Sequence, residues 1–104
     1  MSDYSNVLVP YHGLEAMSIQ QAHHVTGISE SKLRRWCAAY GLGRRVGTNV
    51  RPWAVSRVAL SMFLANDTKA LAAYHTGVRK GEIVARYYRR EGIGQLLCGP
   101  LFGA

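Results

Sequence analysis

The sequence predicts a mainly α-helical fold with a small β-hairpin. Two short segments with helix-capping signals lead to a Gly-Leu-Gly stop, and a basic stretch with a turn cluster follows. Three further segments downstream also carry helix signals. A chain of 104 residues can bury the modest core of one small domain, but it is too short to add a separate ligand-sensing domain.

We divide the chain into four segments. Residues 1–17 are an N-terminal lead-in, and residues 18–65 form the principal domain. Residues 66–92 are a C-terminal helical extension, and residues 93–104 are a tail. The lead-in is mostly polar, and Pro10 stops its one short apolar run, so we expect it to be loosely held.

The charge is basic and unevenly distributed. There are 13 Lys and Arg against 6 Asp and Glu, a formal net charge of +7. No acidic residue falls between positions 31 and 66. The basic residues in that interval are Lys32, Arg34, Arg35, Arg44, Arg45, Arg51 and Arg57. Charge of one sign concentrated in this way favours a polyanionic partner, the alternative being a basic surface that only maintains solubility.

Two helices are predicted at the start of the principal domain. Ser18 and Gln21 form a capping box for a first helix over residues 19–24, and Gly27 supplies the left-handed backbone of a tight turn. Ser29 then caps a second helix. Two capped helices separated by about four residues are typical of a helix-turn-helix motif.

The second helix has two distinct faces. An apolar stripe at helical spacing is expected to face the core, and it comprises Leu33, Trp36, Cys37 and Tyr40. The opposite face carries Ser31, Arg35 and Ala38, flanked by Lys32 and Arg34. Long donors can reach base edges, cations can meet phosphates, and small residues permit close approach. The alternative is a solvated charged face on an ordinary core helix.

A basic hairpin is predicted directly after the second helix. Val46 and Val50 flank the turn cluster Gly47-Thr48-Asn49, and Pro52 is expected at an edge or end of a strand. A hairpin in this position is typical of a wing, which would make the domain a winged helix-turn-helix that binds DNA. The wing would bring four side chains to the DNA backbone or minor groove: Arg44, Arg45, Asn49 and Arg51. A plain basic loop is the alternative.

Three more helices complete the predicted fold. Ser56 caps a third helix over residues 57–65, and its expected buried face comprises Leu60, Phe63 and Leu64. Asn66 or Asp67 caps a fourth over residues 69–75, ended by Gly77. A fifth is expected over residues 80–91, with a shared apolar face formed by Ile83, Val84, Tyr87 and Tyr88.

The principal domain resembles a known family. The run MSIQQAHHVTGISESKLRRW, followed by YGLGRRVGTNVRPWAVSRVALSMFL, is similar to the winged helix-turn-helix of the MerR superfamily and of the related small phage and mobile-element excisionases. The similar region covers about half of the chain. The residues that match the family pattern are Ala22, Thr26, Gly27, Ile28, Ser29, Leu33, Arg34, Trp36, Gly41 and Leu42. The resemblance implies that Ser31, Lys32, Arg34 and Arg35 meet DNA in the recognition helix, and Arg51 in the wing.

The chain departs from the family pattern in two respects. Lys32 stands where a small hydroxyl residue is usual, and no long dimerising coiled coil with a ligand pocket follows. The second departure argues against a MerR-type sensor. The candidate DNA-binding residues are therefore Ser29, Ser31, Lys32, Arg34, Arg35, Arg44, Arg45, Asn49 and Arg51.

Signals for other kinds of protein are weak. Cys37 and Cys98 form no disulfide framework, and the sequence contains neither a signal peptide nor an apolar run of about 18 residues. We therefore expect a cytoplasmic, nucleoid-associated protein of bacterial or phage origin that does not contact a membrane. No metal-ligand spacing, phosphate-binding loop or nucleophile motif is found. We expect that the protein is not an enzyme and that it binds no metal and no cofactor.

The expected function is sequence-specific, architectural DNA binding. The chain would act as an excisionase, or recombination directionality factor, that binds and bends attachment-site DNA and assists an integrase in excising a mobile element. A small winged-helix transcriptional regulator, a phage-type small terminase subunit and a protein-binding helical module are the alternatives. The tail carries Leu96, Leu97, Leu101 and Phe102. These either fold back onto the core or dock on a neighbouring subunit, and we favour self-association through the C-terminal region.

Overall fold

The fold is mainly helical with a small antiparallel sheet, which confirms the predicted class. The structure is a computed structural model, and it describes residues 14–45, 53–78 and 81–94. In chain order the described elements are β1 (Ala16–Ser18), α1 (Ile19–Thr26), α2 (Glu30–Tyr40), β2 (Gly43–Arg45), β3 (Trp53–Ser56), α3 (Arg57–Leu64), α4 (Thr68–His75) and α5 (Glu82–Arg90).

Local side-chain caps start four of the helices. The Ser18 hydroxyl accepts a hydrogen bond from the Gln21 amide, and the Gln21 side chain returns one to the Ser18 amide, each at 3.0 Å. Ser29, Ser56 and Asp67 accept equivalent bonds at the starts of α2, α3 and α4. These bonds satisfy amides that have no partner within a helix. The predicted helix starts at these positions are confirmed.

The turn between α1 and α2 depends on two residues. Gly27 has a φ of 77°, the left-handed conformation that glycine adopts without strain. Thr26 extends α1 two residues beyond the predicted end, since its hydroxyl donates to the Ala22 carbonyl at 2.7 Å. The same hydroxyl accepts from the Ile28 amide at 3.2 Å, so it joins the end of α1 to the approach to α2.

The sheet has the strand order β1-β3-β2. β2 and β3 run antiparallel, with Arg44 opposite Ala54. The sequence predicts the hairpin within residues 44–53, whereas β3 begins at Trp53 and continues to Ser56. The predicted turn and its flanking valines fall in residues 46–52, outside the described part of the chain. β1 was not predicted, because the lead-in was expected to be loose. It pairs with β3, which places Met17 opposite Val55, and both side chains are buried.

One hydrophobic core connects the two halves of the chain. Ala22 of α1 and Leu33 of α2 belong to the same cluster as Val55 of β3, and so do Tyr74 of α4 and Tyr88 of α5. Helices α4 and α5 therefore pack on the core that also holds α1 and α2.

Three side chains expected on buried faces are exposed instead. Leu33 and Cys37 of the α2 stripe are buried, but Tyr40 is 47% exposed, Leu64 of α3 is 49% exposed and Ile83 of α5 is 45% exposed. Each lies in the first or last turn of its helix. The neighbouring elements do not cover these positions, although they continue the apolar periodicity.

A buried carboxylate directly precedes β1. Glu15 has no exposed surface, and it accepts hydrogen bonds from Ser56 Oγ at 2.6 Å, from Tyr88 Oη at 2.7 Å and from Tyr74 Oη. A buried carboxylate requires such donors, because its loss of hydration is otherwise uncompensated. The cluster joins the residue before β1 to the start of α3 and to both C-terminal helices.

Candidate nucleic-acid interface

The outer face of α2 carries a set of exposed polar and basic side chains. Among the predicted site residues, Ser31, Lys32, Arg34 and Arg35 all lie on it and are exposed. Leu33 and Cys37 point to the core from the opposite side. The helical period of the apolar residues therefore fixes which side of α2 faces outward, and binding of DNA by these four exposed residues stays a prediction.

Small residues continue the same face towards the end of α2. Ala38 and Ala39 are exposed one turn beyond Arg34 and Arg35. The face therefore combines long side chains in its first two turns with a low profile in its last turn. A surface of this shape can approach a groove closely while its long side chains extend to either side.

The basic side chains of α2 differ in whether an acidic side chain neutralises their charge. Arg34 forms a half-exposed ion pair with Glu30 one turn earlier, with 3.2 Å between Arg34 Nη2 and Glu30 Oε1. Lys32 Nζ lies 5.5 Å from the centre of the Trp36 ring, a cation–π contact. Within the described ranges, neither Lys32 nor Arg35 forms an ion pair. Their charge therefore remains available to an external anion.

The arginines of α5 contrast with this pattern. Arg86 pairs with Asp67 at 3.0 Å, and Arg89 pairs with Glu82 at 2.6 Å. Tyr87 Oη also donates to Asp67 at 2.7 Å, and this bond, together with the bond from the Ala70 amide and with Arg86, holds the pKa of the Asp67 carboxyl below its usual value. Two of the exposed arginines of α5 are therefore already balanced within the fold, and α2 is the stronger candidate for binding a polyanion.

Ser29, another predicted site residue, lies at the start of α2. Its hydroxyl accepts from the Lys32 amide at 3.2 Å, and the residue is exposed, so its O–H can still donate to a ligand. The preceding turn is fixed by His23, whose Nδ1 lies 2.7 Å from the Ile28 carbonyl oxygen. A helix start with an exposed hydroxyl and free amides is suited to a phosphate.

The hairpin begins close to the end of α2. Gly41 ends the helix with a φ of 66°, Leu42 is buried, and β2 starts at the next residue. Arg44 is half-buried on β2, opposite Ala54. The backbone of Arg45 pairs with Trp53, and nothing further is described of its side chain. Asn49 and Arg51, the other two predicted wing residues, lie outside the described residues.

One contact that holds this site was not predicted. His75 at the end of α4 reaches the end of α2, with 2.9 Å between its Nε2 and the carbonyl oxygen of Gly41. That carbonyl lies beyond the helix hydrogen-bond pattern and needs an outside donor. The contact joins positions 34 residues apart, and a lone histidine in the sequence gives no sign of it.

Other chemistry at the described residues is limited. Burial raises the pKa of the Cys37 thiol to about 12, so this cysteine is an inert core residue at neutral pH. Across residues 14–45, 53–78 and 81–94, no group of three His, Cys, Asp or Glu side chains is placed to hold a metal ion. None of the helices in these ranges has the length and apolar character needed to cross a membrane.

Comparison with known proteins adds no identification. No protein-family model, curated protein or solved structure matches this chain.

Proposed function

We propose that the chain binds duplex DNA with α2 as a recognition helix and the β2–β3 hairpin as a wing. The observation that carries this proposal is the outer face of α2, where Lys32 and Arg35 are exposed and form no ion pair within the described residues. An α-helix fits the major groove of B-DNA, which is about 12 Å wide. Arg35 would meet base edges from the centre of the face, and Lys32 would meet a phosphate.

The parts around α2 support this arrangement. Ser29 offers a hydroxyl at the helix start, and Arg44 is a half-buried basic residue on the first strand of the hairpin. Arg45 follows it on the same strand, and Asn49 and Arg51 belong to the connection between the two strands. The net charge of +7 adds long-range attraction to a polyanion.

Within DNA binding, we favour the role of an excisionase, or recombination directionality factor. The resemblance to that class includes Thr26 and Gly27, and both shape the turn between α1 and α2. In this role the chain would bind and bend attachment-site DNA and assist an integrase. A transcriptional regulator would use the same surface, so DNA bending is the property that separates the two roles.

The test begins with selection of a preferred site from random duplexes. Arg35→Ala is expected to weaken binding to that site by about 1–3 kcal/mol, which is roughly 5-fold to 150-fold, and to relax sequence preference. Arg44→Ala is expected to weaken binding to all duplexes alike and to lower the salt slope by about one. Arg89→Ala is the matched control, because Arg89 is already paired with Glu82.

Equal affinity and selectivity of Arg35→Ala and the parent protein would contradict the recognition-helix assignment. Loss of affinity on Arg89→Ala as large as on Arg35→Ala would point to general charge attraction instead. The excisionase role is tested with circularly permuted DNA fragments that carry the selected site. Binding of the protein should bend these fragments. Straight DNA in the complex would favour the regulator.

A further inference from the structure

An apolar groove lies at the junction of α2, α3 and α4. Its volume is about 350 Å³, and its walls include Tyr40, Phe63, Leu71, Ala72 and His75. The Phe63 and Tyr40 rings stack at 4.9 Å, so the half-exposed Tyr40 forms one wall from the last turn of α2. This volume lies near the lower end of the usual range for small-ligand sites, so the groove can hold a few apolar side chains.

Two residues of the groove wall are exposed. Tyr40, in the last turn of α2, is 47% exposed, and Ala72 is exposed on α4. Tyr40 is thus a large apolar side chain that the core leaves partly uncovered. An open apolar groove with such an exposed wall on a small protein usually marks a binding surface.

A suitable occupant is present in the chain itself. Residues 95–104, QLLCGPLFGA, contain four large apolar side chains and no charged residue. This composition matches the groove, and the segment follows directly on Gly94, the last described residue. We infer that the groove binds residues 95–104 of a second copy of this chain. The inference rests on the proposed DNA binding, which would bring two copies side by side.

The length of the segment allows docking on a second copy, and DNA favours it. Ten residues span at most about 33–36 Å when extended. The segment can therefore reach the surface of a neighbouring copy that DNA holds against its own. Free copies repel one another because each carries +7, and DNA both screens that charge and raises the local concentration. Docking should therefore be weak in free solution and effective on DNA.

Disulfide trapping in the full-length chain tests the contact directly. Cys98 lies in the segment, and Ala72→Cys places a second thiol in the groove wall. Cys37 is buried and its raised pKa of about 12 keeps it unreactive. After mild oxidation on a duplex of several helical turns, we expect covalent trimers and larger species with a linked peptide joining positions 72 and 98. Ile83→Cys, an exposed position on α5 outside the groove, is the matched control.

The same oxidation is run without DNA at high salt, where the repulsion between copies is screened. Linked peptides joining positions 72 and 98 of two copies are expected there too at high protein concentration, so the docking can be judged even if DNA binding fails. A 72–98 link within one chain, or no more linking than in Ile83→Cys, would overturn the inference. Lack of binding to any duplex would instead overturn the proposed function.

A blocking variant gives a second readout. Ala72→Lys fills the groove from an exposed position that the core does not use. It should leave binding to a duplex long enough for one copy unchanged, and lower the apparent affinity for a multi-site duplex on the order of tenfold. Ile83→Lys adds the same charge away from the groove and should keep the multi-site affinity. Equal multi-site affinity of the two variants would overturn the inference.

Discussion

Replacing Tyr88 by phenylalanine tests how the buried carboxylate of Glu15 is stabilised. The Tyr88 hydroxyl lies 2.7 Å from Glu15 Oε1, while Ser56 and Tyr74 bind Oε2. The substitution removes one donor and leaves the ring, so it opens no sizeable cavity. A hydrogen bond to a charged group contributes about 1.5–3 kcal/mol, so we expect a loss of about 2 kcal/mol in the free energy of unfolding. In a chain of this size, this corresponds to a fall of roughly 8–16 °C in Tm.

Urea titration followed by circular dichroism measures this loss. Tyr40→Phe is the matched control, since it removes the same hydroxyl from a half-exposed ring and should change the free energy of unfolding by less than about 0.5 kcal/mol. Glu15→Gln combined with Tyr88→Phe should be markedly non-additive, because both changes act on one bond. If Tyr88→Phe were as stable as Tyr40→Phe, the hydroxyl could not be compensating a buried charge, and the reasoning would be refuted.

Two further predictions concern α4 and the hairpin. The pKa of Asp67 is lowered in the folded state, so its contribution to stability is present above its unfolded pKa of about 3.9 and is lost as pH falls through the folded value. Asp67→Asn keeps a good helix cap. As the pH falls below about 4, the urea concentration at the midpoint of unfolding should decline less steeply for this variant than for the parent protein. Equally steep declines in the two proteins would contradict this prediction. Gly43→Ala places a Cβ against the backbone of Ala54, so it should destabilise the fold by about 1–3 kcal/mol in urea titration and weaken binding to all duplexes. Gly81→Ala, whose Cβ would meet a Val78 methyl group at 3.2 Å rather than strand backbone, is the control. An equal loss in both variants would contradict the role of the close strand approach.

The helix starts were predictable because their signals are local. Ser18, Ser29 and Ser56 each cap an amide three residues ahead, a spacing that can be read directly in the sequence. β1 was not predictable in this way. It has three residues, too few for a periodic pattern, and it is defined by its pairing with β3 almost forty residues later.

The Glu15 cluster also has no local signal. An acidic residue in a polar lead-in normally indicates an exposed position, and this carboxylate is buried only because its hydrogen-bond donors come from 41, 59 and 73 residues away. The faces of α2 were predicted for a different reason. Helical periodicity gives the direction in which Leu33 and Cys37 point, but not how far neighbouring helices extend. Tyr40 follows the period and still lies at the edge of the core, where it forms a wall of the groove.

The last turn of α4 connects two hydrogen-bonded sites of the fold. The Tyr74 hydroxyl binds the Glu15 carboxylate beside β1, and the adjacent His75 binds the carbonyl of Gly41 at the end of α2. Neither residue belongs to residues 18–65, the segment for which the sequence predicts a winged helix-turn-helix. The proposed recognition helix is therefore held at its end by a helix outside that segment. For the proposed function, α4 supports the end of the DNA-binding helix, and a change at His75 should alter the position of α2 even though the charge and length of α2 stay the same.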